Sequence, residues 1–169
     1  DDGSVWTWPS GGAPAQVNGL TGVTAIAAGS GGYGDHVLAL KGDGTVWSWG
    51  QNALSYIGES MVPILCTPGY PLTANVTAPV QVAGLDHMIQ ISAGGLYAVA
   101  LRSDGTVWTW GSNSNGQLGT GTTANNVCLP TQVTGLSGIT AIAAGGSYVL
   151  ALKNDGTVWT WGNNDWGQL

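Results

Sequence analysis

The chain contains no phenylalanine and very little charge, and both shortages limit what kind of protein it can be. Charged residues make up 7% of its 169 residues, against about 25% in an average globular domain. Hydrophobic residues make up 43%, which is too many for a disordered segment. We therefore expect one folded domain or a part of one.

Positive charge is the scarcest feature. Three basic residues stand against nine acidic residues, which gives a net charge of −6. Nucleic acids and anionic membranes are both recognised through clusters of Lys and Arg, which this chain lacks. No apolar run approaches the roughly 20 residues that a membrane-spanning helix needs. The composition therefore predicts neither a nucleic-acid partner nor insertion into a membrane.

The first residue is Asp1 rather than methionine, and no signal peptide follows it. Targeting segments are removed during maturation, so their absence is compatible with a processed chain. We expect either a processed product or a fragment of a longer protein.

Tryptophan is abundant, and its placement is regular. Eight of the nine tryptophans fall in four copies of one short motif. Alternation along a strand puts both tryptophans of a copy on the same face, and large aromatic side chains suit the packing of neighbouring sheets. The motif reads DGSVWTW at 2–8, DGTVWSWG at 43–50, and DGTVWTWG at 104–111 and 155–162. The predicted packing residues are Trp47, Trp49, Trp108, Trp110, Trp159 and Trp161.

These motifs close a longer repeat of about three copies. Each copy opens on Pro-x-Gln-Val-x-Gly-Leu, continues with a segment of small residues such as TAIAAG, and then has a short apolar run such as YVLAL. The second and third copies start 51 residues apart, at Pro79 and Pro130, a period typical of propeller blades.

The pieces inside each copy read as strands, because they are short, β-branched or aromatic, and bounded by Gly, Asn and Asp. An Asp-Gly pair between two such pieces is a strong hairpin signal. We predict an all-β fold with blades of four antiparallel strands at 14–50, 79–111 and 130–162. Residues 1–8 are predicted to be the lone last strand of a blade, and 163–169 the start of the next connection. Three blades and a partial one form either a part-propeller or a ring that several copies complete.

The stretch AAGGSYVLALKNDGTVWTWGNNDWGQL, residues 143–169, resembles the regulator of chromosome condensation repeat. Residues 92–95, 101–111 and 112–121 match the same pattern. The resemblance implies a β-propeller, usually of seven blades, and a bacterial-type extracellular member or a fragment of one. Family members include a nucleotide-exchange factor for a small GTPase and bacterial inhibitors of β-lactamases.

No residue set in the chain has the spacing of a catalytic or metal site. His36 occupies the repeat position of Tyr97 and Tyr148, and His87 lies in a connection. Neither histidine has a Cys, Ser or second His at a useful spacing. The recurrent aspartates each precede a glycine in a hairpin, where Asp favours the turn. We therefore expect no enzyme activity, no cofactor and no metal.

Two other features concern the compartment of the protein. Cys66 and Cys128 both lie two residues before a proline in connections between blades, so they are a candidate disulfide. A disulfide would indicate an oxidising compartment, and Asn75-Val-Thr77 is a glycosylation acceptor in a host that glycosylates. These features and the low lysine content favour an extracellular or cell-surface protein.

The repeated residues account for architecture, so function is expected in what is not repeated. Recognition usually lies in loops on a rigid scaffold, and the longest connection runs from Gln51 to Ala78. The leading hypothesis is a non-catalytic scaffold that binds a protein or further copies of itself. One alternative is a regulator of a partner enzyme, by β-lactamase inhibition or GTPase nucleotide exchange. Another is a carbohydrate-binding module that uses Tyr56, Tyr70 or Trp166.

Overall fold

The computed structural model describes residues 2–8, 11–31, 34–51, 75–122 and 126–169. All regular elements in these ranges are β-strands, which confirms the predicted all-β class. The strands are β1 (Trp6–Thr7), β2 (Ala15–Gln16), β3 (Val23–Gly31), β4 (Gly34–Lys41), β5 (Val46–Gln51), β6 (Asn75–Gln81), β7 (Met88–Ala93), β8 (Tyr97–Arg102), β9 (Val107–Ser112), β10 (Asn126–Gln132), β11 (Ile139–Ala144), β12 (Tyr148–Lys153) and β13 (Val158–Gly162).

The strands form four antiparallel sheets in chain order. Sheet A is the pair β1-β2, and sheet B has the order β3-β4-β5-β6. Sheet C has the order β7-β8-β9-β10, and sheet D contains β11-β12-β13 among the described residues. Strand β7 lies against β3 on one side and β11 on the other, so the first strands of successive sheets are neighbours.

The sheets are offset by one strand from the sequence units 14–50, 79–111 and 130–162. The Pro-x-Gln-Val strand pairs with the tryptophan strand before it, so β6 belongs with β5 and β10 with β9. For the same reason β1 is not a lone strand, because Ala15–Gln16 pairs with it. Proline is tolerated at the outer edge of a sheet, where its missing N–H leaves no ladder bond unmade. The predicted blade boundaries are therefore corrected to sheets that end in this motif.

Three apolar clusters lie between successive sheets. Leu20 belongs to the cluster between sheets A and B, Leu85 to the one between B and C, and Leu136 to the one between C and D. Each of these leucines ends a Pro-x-Gln-Val-x-Gly-Leu motif. The motif thus supplies the outer strand of one sheet and then a buried side chain at the interface with the next.

The tryptophans of a sheet pack against the preceding sheet. Trp110 is fully buried against Leu38 and Val46 of sheet B, and Trp49 is buried against sheet A. Trp47, Trp108 and Trp161 are half-buried in the same three clusters.

Trp159 departs from this pattern, because 51% of it is exposed. The equivalent Trp47 and Trp108 are flanked by Gln81 of β6 and Gln132 of β10. Within the described residues, sheet D has no fourth strand that would cover Trp159 in this way.

The DGTVW motif is held by a short chain of hydrogen bonds. The Asp104 carboxylate accepts bonds from the Thr106 amide at 3.0 Å and the Thr106 hydroxyl at 2.6 Å. The same hydroxyl accepts a bond from the Trp108 indole at 3.2 Å. The aspartate bonds recur in the two other full copies, at Asp43 with Thr45 and at Asp155 with Thr157.

The glycine of the same motif docks onto the next sheet. The Gly44 carbonyl accepts a bond from the Met88 amide at 3.0 Å, and the Gly105 carbonyl accepts one from Ile139 at 3.1 Å. Both glycines have φ near +80°, a conformation that costs other residues free energy. The motif recurs because one turn orders a hairpin, orients a tryptophan and contacts the following sheet.

The aspartates of the Asp-Gly turns should make the stability of the protein sensitive to acid. Hydrogen bonds from Thr157 lower the pKa of Asp155 to about 2, and bonds from the equivalent threonines lower the pKa of Asp43 and Asp104. A depressed carboxyl pKa stabilises the fold above the unfolded-state value of about 3.9, and this contribution is lost as pH falls toward about 2. We expect the melting temperature of the triple variant D43N/D104N/D155N to fall less than that of the wild type across this window. Parallel losses in thermal scans would contradict the assignment.

Candidate protein-interaction surface

Sheet B carries an extended hairpin at one end. Strand β3 has nine residues and β4 has eight, whereas β7, β8, β11 and β12 have six each. The extra length continues the ladder through the pairs Gly29–His36, Ser30–Asp35 and Gly31–Gly34. In sheet C the equivalent ladder ends three pairs earlier, at Ala93–Ala98. The hairpin therefore extends beyond the other sheets, and Ser30 and Asp35 are exposed on it.

The longest connection leaves sheet B from the same end. His36 pairs with Gly50, so β5 ends at Gln51 beside the base of the hairpin extension. Residues 52–74, which lie outside the described ranges, then lead to β6. Both departures from the repeat therefore occur at one end of one sheet, which we call the irregular end. The opposite end of each sheet carries the repeated Asp-Gly turn.

The corresponding connection of sheet C is a structural element. Asn113 accepts a hydrogen bond from the Leu118 amide at 3.0 Å and donates one to the Thr122 carbonyl at 2.6 Å. The Gln117 carbonyl accepts a bond of 2.9 Å from the Trp161 indole, which ties this connection to sheet D. Sheet B has QNALSYIGES at 51–60 instead of this Asn-x-x-Gly-Gln-Leu pattern. The sequence of this connection therefore lacks the residues that form these bonds in sheet C.

Polar side chains join sheets C and D, and we call such a set of contacts between two sheets a joint. The Tyr97 hydroxyl donates toward the carbonyls of Gly145, at 3.1 Å, and Tyr148. The Gln90 side chain donates a bond of 2.9 Å to the Ile142 carbonyl and accepts a bond of 3.0 Å from the Ile142 backbone amide. Sequence analysis did not identify this joint. The available signal was Gln90 itself, a long amide side chain at the repeat position of Ala25 and Ala141.

Removing one hydroxyl from this joint should have a measurable cost. In the variant Tyr97→Phe, the part-buried Gly145 carbonyl loses this donor, while the Tyr148 carbonyl keeps the bond from the Gly145 amide. We expect the free energy of unfolding to fall by about 1–3 kcal/mol, because unsatisfied buried polar groups carry a desolvation penalty. Urea unfolding followed by tryptophan fluorescence measures the change. A Tyr97→Phe protein as stable as the wild type would show that the hydroxyl is not part of the joint.

Sheets B and C meet at a histidine instead. His36 is fully buried at the position that Tyr97 and Tyr148 occupy in the following sheets. Burial lowers the pKa of its imidazole, while a hydrogen bond with the Tyr97 backbone and the charge of Asp35 raise it by smaller amounts. A Cβ on Gly29 would overlap the imidazole and the Gly94 carbonyl oxygen, which shows how closely the two sheets approach here.

Acidic residues outnumber basic residues by nine to three. All three basic side chains of the protein lie beside aspartates: Lys41 is 3.5 Å from Asp43, Lys153 is 3.3 Å from Asp155, and Arg102 pairs with Asp86. No Lys or Arg is left over to balance the remaining acidic residues, and exposed Asp35 lies on the hairpin extension.

The remaining predicted residues are spread over the molecule. Trp166 is 92% exposed in the turn after β13. Asn75 begins β6, and Cys128 lies in β10. Tyr56, Tyr70 and Cys66 lie outside the described residues. The Cys66–Cys128 disulfide, glycosylation at Asn75 and the ligand-contact role of Tyr56, Tyr70 and Trp166 therefore stay predictions.

Neither a metal site nor a membrane-spanning helix is found among the described residues. Among those residues, no group of three or more His, Cys, Asp or Glu side chains is arranged to hold a metal ion. The same part of the chain contains no helix long and apolar enough to cross a membrane.

Similar proteins agree with this architecture. The human E3 ubiquitin-protein ligase HERC2 is 34% identical over 164 residues, which is 93% of this chain and 3% of that protein. Human protein RCC2 is 31% identical over 92% of this chain and 28% of its own length. The crystal structure of Prp20p from Saccharomyces cerevisiae, described with its binding to Gsp1p and histones, aligns with a TM-score of 0.71 and 26% identity. That alignment covers 88% of this chain and 35% of Prp20p.

The chain thus spans about a third or less of each of these relatives. Two family models, both described as the regulator of chromosome condensation (RCC1) repeat, match it directly. One covers residues 104–152, and the other covers 23–54, 88–117 and 139–168. These three segments begin at β3, β7 and β11, the first strands of sheets B, C and D. The chain therefore belongs to the RCC1-repeat family of β-propeller proteins.

Proposed function

We propose that this chain is a non-catalytic propeller scaffold that binds a basic protein partner at the irregular end of sheet B. The observation that carries the proposal is the coincidence of the extended β3–β4 hairpin and the longest connection at one end of one sheet. Departures from a repeat are free to serve recognition, because the neighbouring repeats show that the fold does not need them.

The charge of the molecule favours a basic partner. The net charge is −6, and each basic side chain already lies beside an aspartate. Complementary charge accelerates encounter and disfavours partners of the same sign. Among the relatives, Prp20p is described as binding histones, which are basic, and this supports a protein of similar charge as the partner here.

A second candidate function is self-association through exposed apolar side chains of sheets B and D. Leu152 and Val158 of sheet D are exposed, whereas the equivalent Leu101 and Val107 are buried by the following sheet. Ile26 of sheet B is exposed, whereas the equivalent Ile91 and Ile142 are buried. The two exposed faces match the two sides of an internal interface, so a second copy or a further repeat would fit between them.

Regulation of a partner enzyme is compatible with the scaffold. The partner would decide whether this regulation is nucleotide exchange on a GTPase or inhibition of a β-lactamase. Prp20p is described as binding Gsp1p, which makes Gsp1p a suitable probe. Of the three residues predicted for carbohydrate binding, Trp166 is the one within the described structure, where it is 92% exposed. We propose an extracellular or surface location on composition and on the predicted disulfide.

The test is a binding measurement on the full 169-residue chain. Immobilised protein is exposed to core histones, to Gsp1p and to a β-lactamase in biolayer interferometry. We expect histone binding that weakens as salt is raised, because the attraction is between exposed charges. Absence of histone binding at low salt would overturn the basic-partner proposal, and binding of Gsp1p or the β-lactamase alone would favour the regulatory alternative.

The matched variant removes the hairpin extension without touching the repeat. Deletion of residues 31–34 shortens β3 and β4 toward the length of their counterparts. We expect this variant to fold, to keep its melting temperature within a few degrees, and to lose histone binding. A control variant, Asp165→Asn, removes an exposed charge in the turn after β13 and should bind nearly as the wild type does. Equal loss in both variants would contradict a localised site.

A further inference from the structure

We propose that His36 makes the joint between sheets B and C sensitive to protonation, so that this joint loosens in mildly acidic solution while the joint between C and D does not. The proposal rests on where the histidine lies and on what each joint contains. It is independent of the partner proposed above.

The position of His36 is defined by the repeat. His36, Tyr97 and Tyr148 pair with Gly50, Gly111 and Gly162 in the three sheets. In sheet C this side chain reaches the backbone of the next sheet, because the Tyr97 hydroxyl bonds with the Tyr148 carbonyl. In sheet B the imidazole of His36 likewise meets the backbone of Tyr97. A side chain whose ordinary pKa is about 6.5 thus occupies a joint that elsewhere contains a phenol.

The joint between B and C also has fewer other polar links available. The positions of Gln90 and Ser92, which hold Ile142 and Ala144 from sheet C, are Ala25 and Ala27 in sheet B. Alanine side chains cannot form hydrogen bonds. The joint between B and C therefore depends strongly on the packing of His36. In the joint between C and D, Gln90 and Ser92 share this role with Tyr97.

Few charged groups are present to accommodate a protonated imidazole. Strands β3, β5 and β7, which pack around β4, carry no titratable side chains in their described residues. The titratable groups nearby are the exposed Asp35 carboxylate and the Tyr97 hydroxyl, which is directed away toward sheet D. A charged imidazole would have to be buried or would have to separate the sheets, and burying a charge is costly.

The sign of the pH effect follows from burial. Burial lowers the pKa of His36 in the folded protein below its unfolded value of about 6.5. The unfolded chain then binds more protons between these two values, so stability is full above about pH 6.5 and is lost as pH falls through it. For one group, the unfolding equilibrium constant can rise by at most about tenfold per pH unit.

The experiment compares urea unfolding of three forms of the full chain between about pH 7.5 and pH 5. The wild type should lose stability, approaching tenfold in the unfolding constant per pH unit. The variant H36Y places at this position the residue that the other sheets have, and its stability should be flat over the same window. The control H87N removes the exposed histidine beside Asp86 and should behave as the wild type. Its φ of 55° is tolerated by asparagine.

A second readout applies even if H36Y fails to fold. H87N leaves one histidine in the chain, so its ring protons report His36 directly in an NMR titration. A native ring that titrates well below about pH 6.5, with protection of β4 amides from hydrogen exchange falling before that of β12 amides, supports the proposal. A ring that titrates at the ordinary value, or parallel pH dependence of wild type and H36Y, would overturn it.

Discussion

Replacing Trp110 with alanine is expected to lower the free energy of unfolding by about 3–5 kcal/mol, the range measured for large aromatic side chains removed from cores. The Trp110 side chain is fully buried and packs between sheets B and C beside Leu38 and Val46. Small domains are stable by about 5–15 kcal/mol, so this one change would consume a large part of the total. Urea unfolding followed by circular dichroism measures it without relying on the deleted fluorophore.

The matched control is Trp166→Ala. Trp166 has the same chemistry but is 92% exposed, and surface substitutions of this kind usually change stability by less than about 0.5 kcal/mol. Comparable losses in the two variants would mean that the interface between sheets B and C does not depend on the buried tryptophan.

The second large effect concerns the glycine of the Asp-Gly turn. In the variant Gly44→Ala, the new Cβ would lie 2.9 Å from the backbone nitrogen and Cα of His87, at the contact with the next sheet. The residue would also have to keep a φ of +81°. Left-handed strain of about 1–2 kcal/mol and overpacking of about 1–3 kcal/mol should together destabilise the protein by about 2–5 kcal/mol.

Gly156→Ala separates these two contributions. Gly156 stands in the same motif with a φ of +87°, but a Cβ there would meet nothing within 4 Å. It should show only the strain of about 1–2 kcal/mol. Thermal or urea unfolding of both variants gives the difference. If Gly156→Ala were as destabilising as Gly44→Ala, docking of the turn onto the following sheet would have no energetic role.

The class and the strands were predictable from sequence because both depend on local patterns. The alternation in VWTW and the Asp-Gly pair predict a hairpin without reference to the rest of the fold, and the period of 51 residues predicts stacked units. The assignment of β6 and β10 to sheets was not predictable in the same way. The proline in a Pro-x-Gln-Val strand indicates an edge strand, but the local sequence does not indicate which of two neighbouring sheets the strand joins.

The joints between sheets depend on long-range contacts. The sequence indicates them only where a residue differs from those at the same position in the other repeats. Gln90 at an alanine position and His36 at a tyrosine position are visible as departures from the repeat. Their consequences follow only from which backbone each one faces, across separations of about 50–60 residues. The uneven burial of the tryptophans, with Trp110 buried and Trp159 exposed, likewise depends on the sheets to either side.

The most direct test of where function lies is hydrogen–deuterium exchange of the full chain with and without core histones. The irregular end carries the hairpin extension at 29–36, and the opposite end carries the repeated turns at 43–45, 104–106 and 155–157. If the repeated residues are architecture and the departures from the repeat bind the partner, protection on binding should appear at 29–36 and at β5 near Gln51. Protection at the repeated Asp-Gly turns, with none at the irregular end, would contradict this assignment.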